Sequence, residues 1–83
     1  MRIAIIGAGR MGRWIARFFS NEGIPVTISD VNKKTLRKVS EELGVSVNDK
    51  VTAVEHADSI LLAVPIESFQ SVIQEICPYL KPN

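Results

Sequence analysis

The segment that most constrains this chain lies near its start. Ile3-Ala4-Ile5-Ile6 is an apolar run of strand length, and it passes directly into Gly7-Ala8-Gly9-Arg10-Met11-Gly12. An amphipathic stretch follows, then a second β-prone run, Val26-Thr27-Ile28-Ser29, that stops at an acid, Asp30. Glycines at i, i+2 and i+5 between a strand and a helix leave few backbones open. The chain turns tightly out of the strand, and the helix starts against the strand it came from. A glycine triplet alone says little. In this setting it predicts a β-α-β unit whose helix N-terminus and second-strand tip lie side by side.

The rest of the chain repeats the alternation. The first strand is expected over roughly Arg2 to Ile6 and the first helix over Arg10 to Glu22, with Gly23 as a left-handed C-cap. Met11, Trp14, Ile15, Phe18 and Phe19 fall at helical spacing and read as the stripe that packs on a sheet; Arg13, Arg17 and Glu22 take the other side. On that spacing Trp14 and the two Phe are core residues, not a stacking platform. Pro25 opens the second strand, where its missing N–H is tolerated. Asn32 is the expected N-cap of a helix through Leu43, with Gly44 as C-cap and Leu36, Val39 and Leu43 inward. Lys33, Lys34, Arg37 and Lys38 form a basic cluster. The i, i+4 pairs Arg37–Glu41 and Lys38–Glu42 read as a solvated, ion-paired face, and Lys33 and Lys34 stay open as neighbours of Asp30.

Val45-Ser46-Val47 is a short third strand. Val51 to His56 is a turn or two of helix, with Val54 and Ala57 inward and His56 on the surface. Ser59 to Val64 is a fourth strand, and its continuous apolar run predicts burial on both faces. Pro65 ends it. A last helix starts near Glu67, burying Phe69, Val72, Ile73 and Ile76. Pro78 stops or kinks it, Cys77 reads as a packed thiol, and Lys81-Pro82-Asn83 as a turn.

Strands alternating with helices over short links predict an α/β domain of Rossmann type: a parallel sheet of order 3-2-1-4, right-handed crossovers, helices on both faces. The order reverses between strands 1 and 4. Gly9, Asp30 and Ala63-Val64-Pro65 converge on the crevice at that point.

Composition narrows the field. The 83 residues are enough for one small domain, and a net charge of +1 offers no electrostatic case for nucleic acid. No apolar run approaches a membrane span, and Met1-Arg2 entering a strand at once leaves no room for a signal peptide. One cysteine and one histidine exclude an internal disulfide, make a zinc site from this chain improbable, and fit a reducing cytoplasm.

The chemistry follows from the triplet. Gly7 serves the tight turn, Gly9 lets a pyrophosphate lie against the backbone, and Gly12 lets the helix sit close to the strands. The amides of Arg10 and Met11 are first-turn donors without helical partners, at the positive end of the helix dipole, which suits a phosphate. Asp30 is placed to accept from the ribose hydroxyls, so NAD is the expected cofactor and NADP, with its 2′-phosphate, is disfavoured. The alternative is a plain glycine-rich turn with Asp30 as an ordinary turn residue. The placement of the flanking elements argues against it. The cofactor-binding set is therefore Gly7, Ala8, Gly9, Arg10, Met11, Gly12, Asp30, Ala63, Val64 and Pro65. No residue reads as catalytic or metal-ligating.

The chain also resembles the N-terminal domain of prephenate dehydrogenases of the archaeal type. The carrying residues are Gly7 to Phe19, Ile28-Ser29-Asp30, Glu42-Leu43-Gly44-Val45 and Ala57 to Ile66. The resemblance covers essentially the whole chain. The Gly/Asp signature is widespread among dehydrogenases; the Gly-Arg-Trp continuation and the Ala-Val-Pro-Ile ending are narrower. It implies NAD(P)-dependent oxidative decarboxylation of prephenate or arogenate in tyrosine biosynthesis. Such proteins continue with further strands, a catalytic histidine and a helical domain that binds substrate and dimerises. Residues 1–83 then form the N-terminal part of a dinucleotide-binding domain, inactive alone, and the small-molecule substrate and homodimer contacts belong to the missing part. Pyrroline-5-carboxylate reductase, which typically has a lysine where Pro65 stands, and the F420-dependent NADP reductase are neighbouring readings. A nucleotide-sensing module without redox chemistry is an alternative of another class. Ending the sheet after strand 4 would also leave Ser59 to Val64 as an apolar edge prone to pairing with another chain.

Overall fold

The computed structural model describes residues 1–80, so the turn expected at Lys81-Pro82-Asn83 lies outside the described residues. Four short strands, β1 (Ile3–Ile6), β2 (Val26–Ser29), β3 (Ser46–Val47) and β4 (Ser59–Leu62), form one parallel sheet in the order β3-β2-β1-β4. This is the order that the sequence spacing predicts.

Strand periodicity sorts the core into two layers. Ile3 and Ile5 of β1, with Val26 and Ile28 of β2, face the helices α1 (Arg10–Asn21) and α2 (Lys33–Leu43), where Ala16 and Val39 meet them. Ala4 and Ile6 face the other way, toward α3 (Lys50–Glu55) and α4 (Phe69–Ile76). There Ile6 packs with Val54, Val72 and Ile76, and Ala4 packs with Ala53 and Ala57. The helices cover both faces.

Caps fix where the helices start and stop. Asn32 Oδ1 accepts from the amides of Lys34 and Thr35, and Gly44 closes α2 in the left-handed region at φ 67°. Asp49 caps α3 through the Thr52 amide, and His56 sits on the surface with Nδ1 2.9 Å from the Thr52 carbonyl. A 3₁₀ turn, Ile66–Ser68, leads into α4; a second, Cys77–Tyr79, follows it at Pro78.

Several expectations are corrected. The face of α1 on the sheet is Gly12, Ile15, Ala16 and Phe19, whereas Met11, Trp14 and Phe18 are 67%, 65% and 50% exposed. The helix approaches β1 closely at Gly12, and only small side chains fit in that contact, so the bulky ones turn about 100° around the helix. Phe69 and Ile73 of α4 also remain partly exposed, because the helix lies at the sheet margin. β4 is covered on both faces, with Leu61 toward α1 and Ile60 and Leu62 toward α3 and α4, yet these side chains are only half-buried because the strand is an edge. Cys77 is exposed rather than packed. Neither Arg37–Glu41 nor Lys38–Glu42 closes as an ion pair among the described residues; a pair that does form is Lys50–Glu75, between α3 and α4, at 2.8 Å.

Candidate dinucleotide site at the strand 1–strand 4 switch point

Gly7 leaves β1 at φ 114°, a conformation open to glycine and strained for other residues. Its amide donates to the Ser29 carbonyl at 2.6 Å, which ties the loop to the end of β2. A Cβ here would collide with the Ala63 carbonyl, and one on Gly12 would collide with the Gly7 carbonyl and lie 3.5 Å from the Ala63 Cβ. Gly7 and Gly12 are thus demanded by the protein itself. Strand β1, the start of α1 and the segment after β4 meet too closely for anything larger.

Gly9 differs. A Cβ there would meet nothing within 4 Å, and its extended backbone (φ −72°, ψ −164°) suits any residue. It is the N-cap of α1, yet no side chain caps that helix and no acid lies in its first turn. A structural N-cap is ordinarily Ser, Thr, Asp or Asn, whose oxygen satisfies an orphan amide. Here the first-turn amides of Arg10, Met11 and Gly12 have no capping side chain, and Gly9 beside them is exposed. That is the chemistry of an anion cradle, and it fits the pyrophosphate of a dinucleotide.

Ala8 is fully buried between these glycines, and its amide donates to Asp30 Oδ2 at 2.7 Å. Asp30 Oδ1 accepts from the Asn32 amide at 2.8 Å. The carboxylate therefore braces the glycine loop against the β2–α2 turn, and each oxygen keeps a lone pair for a further donor. Sequence reasoning assigns Asp30 to ligand alone and misses this second duty.

Beside Asp30 opens a crevice of about 170 Å³ at the carboxyl ends of the strands. Ile6, Val31, Val64, Pro65 and Val72 form apolar walls suited to a flat base; Asp30, Lys50 and Ser68 supply the polar groups. Ala63 continues the β4 pairing, its amide donating to the Ile6 carbonyl at 2.8 Å, and so delivers Val64 and Pro65 to the rim. The structure thus brings together Gly7, Asp30, Val64 and Pro65 around one crevice, with Ala8, Gly9 and Gly12 in the adjoining loop. Arg10 and Met11 contribute backbone; their side chains are exposed. Lys33, the cation open as a neighbour of Asp30, instead lines a separate groove with Leu36, Arg37 and Glu41. Lys50 and Ser68 were missed. The available signal was position: Lys50 follows the carboxyl end of the third strand, the side on which such sheets bind ligands.

Among the described residues no cluster of His, Cys, Asp or Glu could hold a metal, and no helix is long and apolar enough to cross a membrane.

Known proteins share this fold. A relative from Methanocaldococcus jannaschii, a probable arogenate/prephenate dehydrogenase, is 32% identical over 98% of this chain and 19% of its own length. A glycerol-3-phosphate dehydrogenase [NAD(P)+] from Acholeplasma laidlawii is 28% identical over 92% of this chain and 26% of its own. The chain thus spans about a fifth to a quarter of these relatives. Among solved structures, Synechocystis arogenate dehydrogenase superposes with a TM-score of 0.91 at 23% identity, covering 99% of this chain and 30% of that one. The 3-hydroxyisobutyrate dehydrogenase of Mycobacterium tuberculosis gives 0.90 at 23%, covering 98% and 28%. At such identities these two speak for the fold. The family profile described as NADP oxidoreductase coenzyme F420-dependent matches residues 2–83, essentially the whole sequence, and the chain belongs to that family.

Proposed function

We propose that this chain is the cofactor-binding portion of an NAD(P)-dependent dehydrogenase, and that the parent enzyme oxidises prephenate or arogenate. The single observation that carries the cofactor reading is the contrast among the three glycines. Packing requires Gly7 and Gly12, whereas no protein atom requires Gly9, which lies at an uncapped helix start. The substrate reading rests on the Methanocaldococcus relative together with the Gly-Arg-Trp and Ala-Val-Pro-Ile segments.

In this reading the amides of the first turn of α1 hold the pyrophosphate, Asp30 receives the ribose hydroxyls, and the walls Val31, Val64 and Pro65 enclose the adenine. When bound, the nicotinamide supplies the hydride acceptor. The chain's own residues bind and orient. His56 is turned outward on the surface, and Cys77 lies exposed beyond α4, so neither is placed as an acid or base at the crevice. Substrate contacts, proton transfer and homodimer contacts are assigned to the remainder of the parent enzyme, in a cytoplasmic setting. Asp30 favours NAD over NADP. An F420-dependent NADP reductase is the second reading, favoured by the family profile; a preference for NADP would support it.

Titration calorimetry of the 83-residue chain with NAD tests the site. Binding by the parent sequence and at least about tenfold weaker binding by Gly9→Val are expected, since a branched side chain would occupy the cradle. Equal affinity of the two would remove the site. Incubation of the chain with NAD and prephenate is expected to yield no NADH; turnover by the chain alone would overturn the assignment of catalysis elsewhere.

A further inference from the structure

Lys50 lines the same crevice as Asp30, and its side chain is only 20% exposed. Its amine is 2.8 Å from a carboxylate oxygen of Glu75, whose side chain is 55% exposed. Glu75 itself is not part of the crevice lining. A crevice lined by the negative Asp30 is thus also lined by a cationic residue, whose amine is paired with an anion on α4.

We infer that Lys50 is a cofactor-selectivity residue: its ammonium offsets the repulsion between Asp30 and a 2′-phosphate, and Glu75 sets how much of that charge the ligand feels. The inference rests on the dinucleotide reading of the crevice. Charges in a confined, partly desolvated site act over several ångströms, so direct contact with the phosphate is unnecessary. Lys33 and Lys34, adjacent to Asp30 in sequence, are solvent-exposed, and charges there are screened more strongly.

The alternative is that Lys50 and Glu75 simply tie α3 to α4. The two roles separate in a pair of variants. Lys50→Ala and Glu75→Gln both break the ion pair, but the first removes the cation from the crevice and the second frees it. The quantity read is the ratio of NADP to NAD affinity by calorimetry. Any loss of folded protein lowers both affinities by the same factor and cancels in that ratio. Lys50→Ala is expected to shift the ratio against NADP by about tenfold, and Glu75→Gln to shift it toward NADP by about threefold. Shifts in the same direction, or no shift in either variant, would overturn the role of Lys50 while leaving the dinucleotide site intact. Failure of the parent chain to bind either nucleotide would overturn both.

Discussion

The Ala8 amide donates to the Asp30 carboxylate at 2.7 Å, joining positions 22 residues apart in the chain. The bond runs from the middle of the glycine loop to the tip of β2, so the carboxylate that we propose receives ribose also holds the glycine loop in shape. Asp30→Ala would leave a buried N–H without a partner, at about 1–3 kcal/mol. Urea unfolding without nucleotide should show that loss, and Asp30→Asn, which keeps an acceptor, should lose less. If Asp30→Ala unfolds at the same urea concentration as the parent, the brace is not structural.

The three glycines should separate into two classes. Gly7→Ala combines a strained positive φ with a collision at Ala63 and is expected to cost about 3 kcal/mol or more, a large part of a small domain's stability. Gly9→Ala meets no protein atom and should cost about 1 kcal/mol or less. Circular-dichroism melts distinguish them. A Gly9→Ala chain as unstable as Gly7→Ala would contradict the open cradle.

Trp14 stacks on Phe18 with ring centroids 6.1 Å apart and planes 14° from parallel, on the outer side of α1. Trp14→Ala should therefore cost roughly 1 kcal/mol or less, against about 2–5 kcal/mol for Ile28→Ala in the core. Tryptophan emission of the folded parent chain should already lie toward the red. Blue emission that shifts on unfolding would mean that a partner or a second copy covers this face.

Asp49 titrates below its ordinary value of 3.8, chiefly because the Thr52 amide donates to it and then because the Thr52 hydroxyl does. A depressed carboxylate contributes stability that is complete above the unfolded value and is lost as pH falls through the folded one. Asp49→Ala should melt earlier than the parent at neutral pH, with the gap closing near pH 2. A gap that persists in acid would assign the effect to something other than the ionised cap.

β4 pairs only with β1, and its other edge has no partner among the described residues. Ser59-Ile60-Leu61-Leu62 carries no charge to discourage pairing, and Ile73 and Phe69 add exposed apolar surface on nearby α4. The 83-residue chain is expected to self-associate at high concentration, and Ser59→Lys, at the exposed position of the strand, to shift it toward monomer; Leu61 packs toward α1 and is no site for such a charge. Light scattering that shows a clean monomer for the parent sequence would count against an open edge.

Sheet order, caps and the course of the glycine loop were readable because each rests on local chemistry: Gly44 at a left-handed turn, Asn32 before a helix, a glycine triplet after an apolar strand. The inward face of α1 was not. Met11, Trp14 and Phe18 satisfy helical spacing as well as Gly12 and Ala16 do, and what decides between them is the approach of the helix to the Gly7 carbonyl, a tertiary contact. The same holds at the site. Asp30 was legible from its place at a strand tip, whereas Lys50 lines the crevice from the first turn of α3, and its pairing with Glu75 depends on how α4 docks beside α3.

The bare N-cap of α1 also bears on the energetics of folding. A helix start without a capping side chain frays, and its first amides exchange with solvent quickly. An anion seated at Gly9 becomes the missing cap, present only in the native state, so binding and folding draw on the same donors. Saturating nucleotide should then slow exchange at Arg10, Met11 and Gly12, and raise the melting temperature with ligand concentration as RT ln(1 + [L]/Kd) requires. On that account the nucleotide is a structural element of the first helix as well as its cargo.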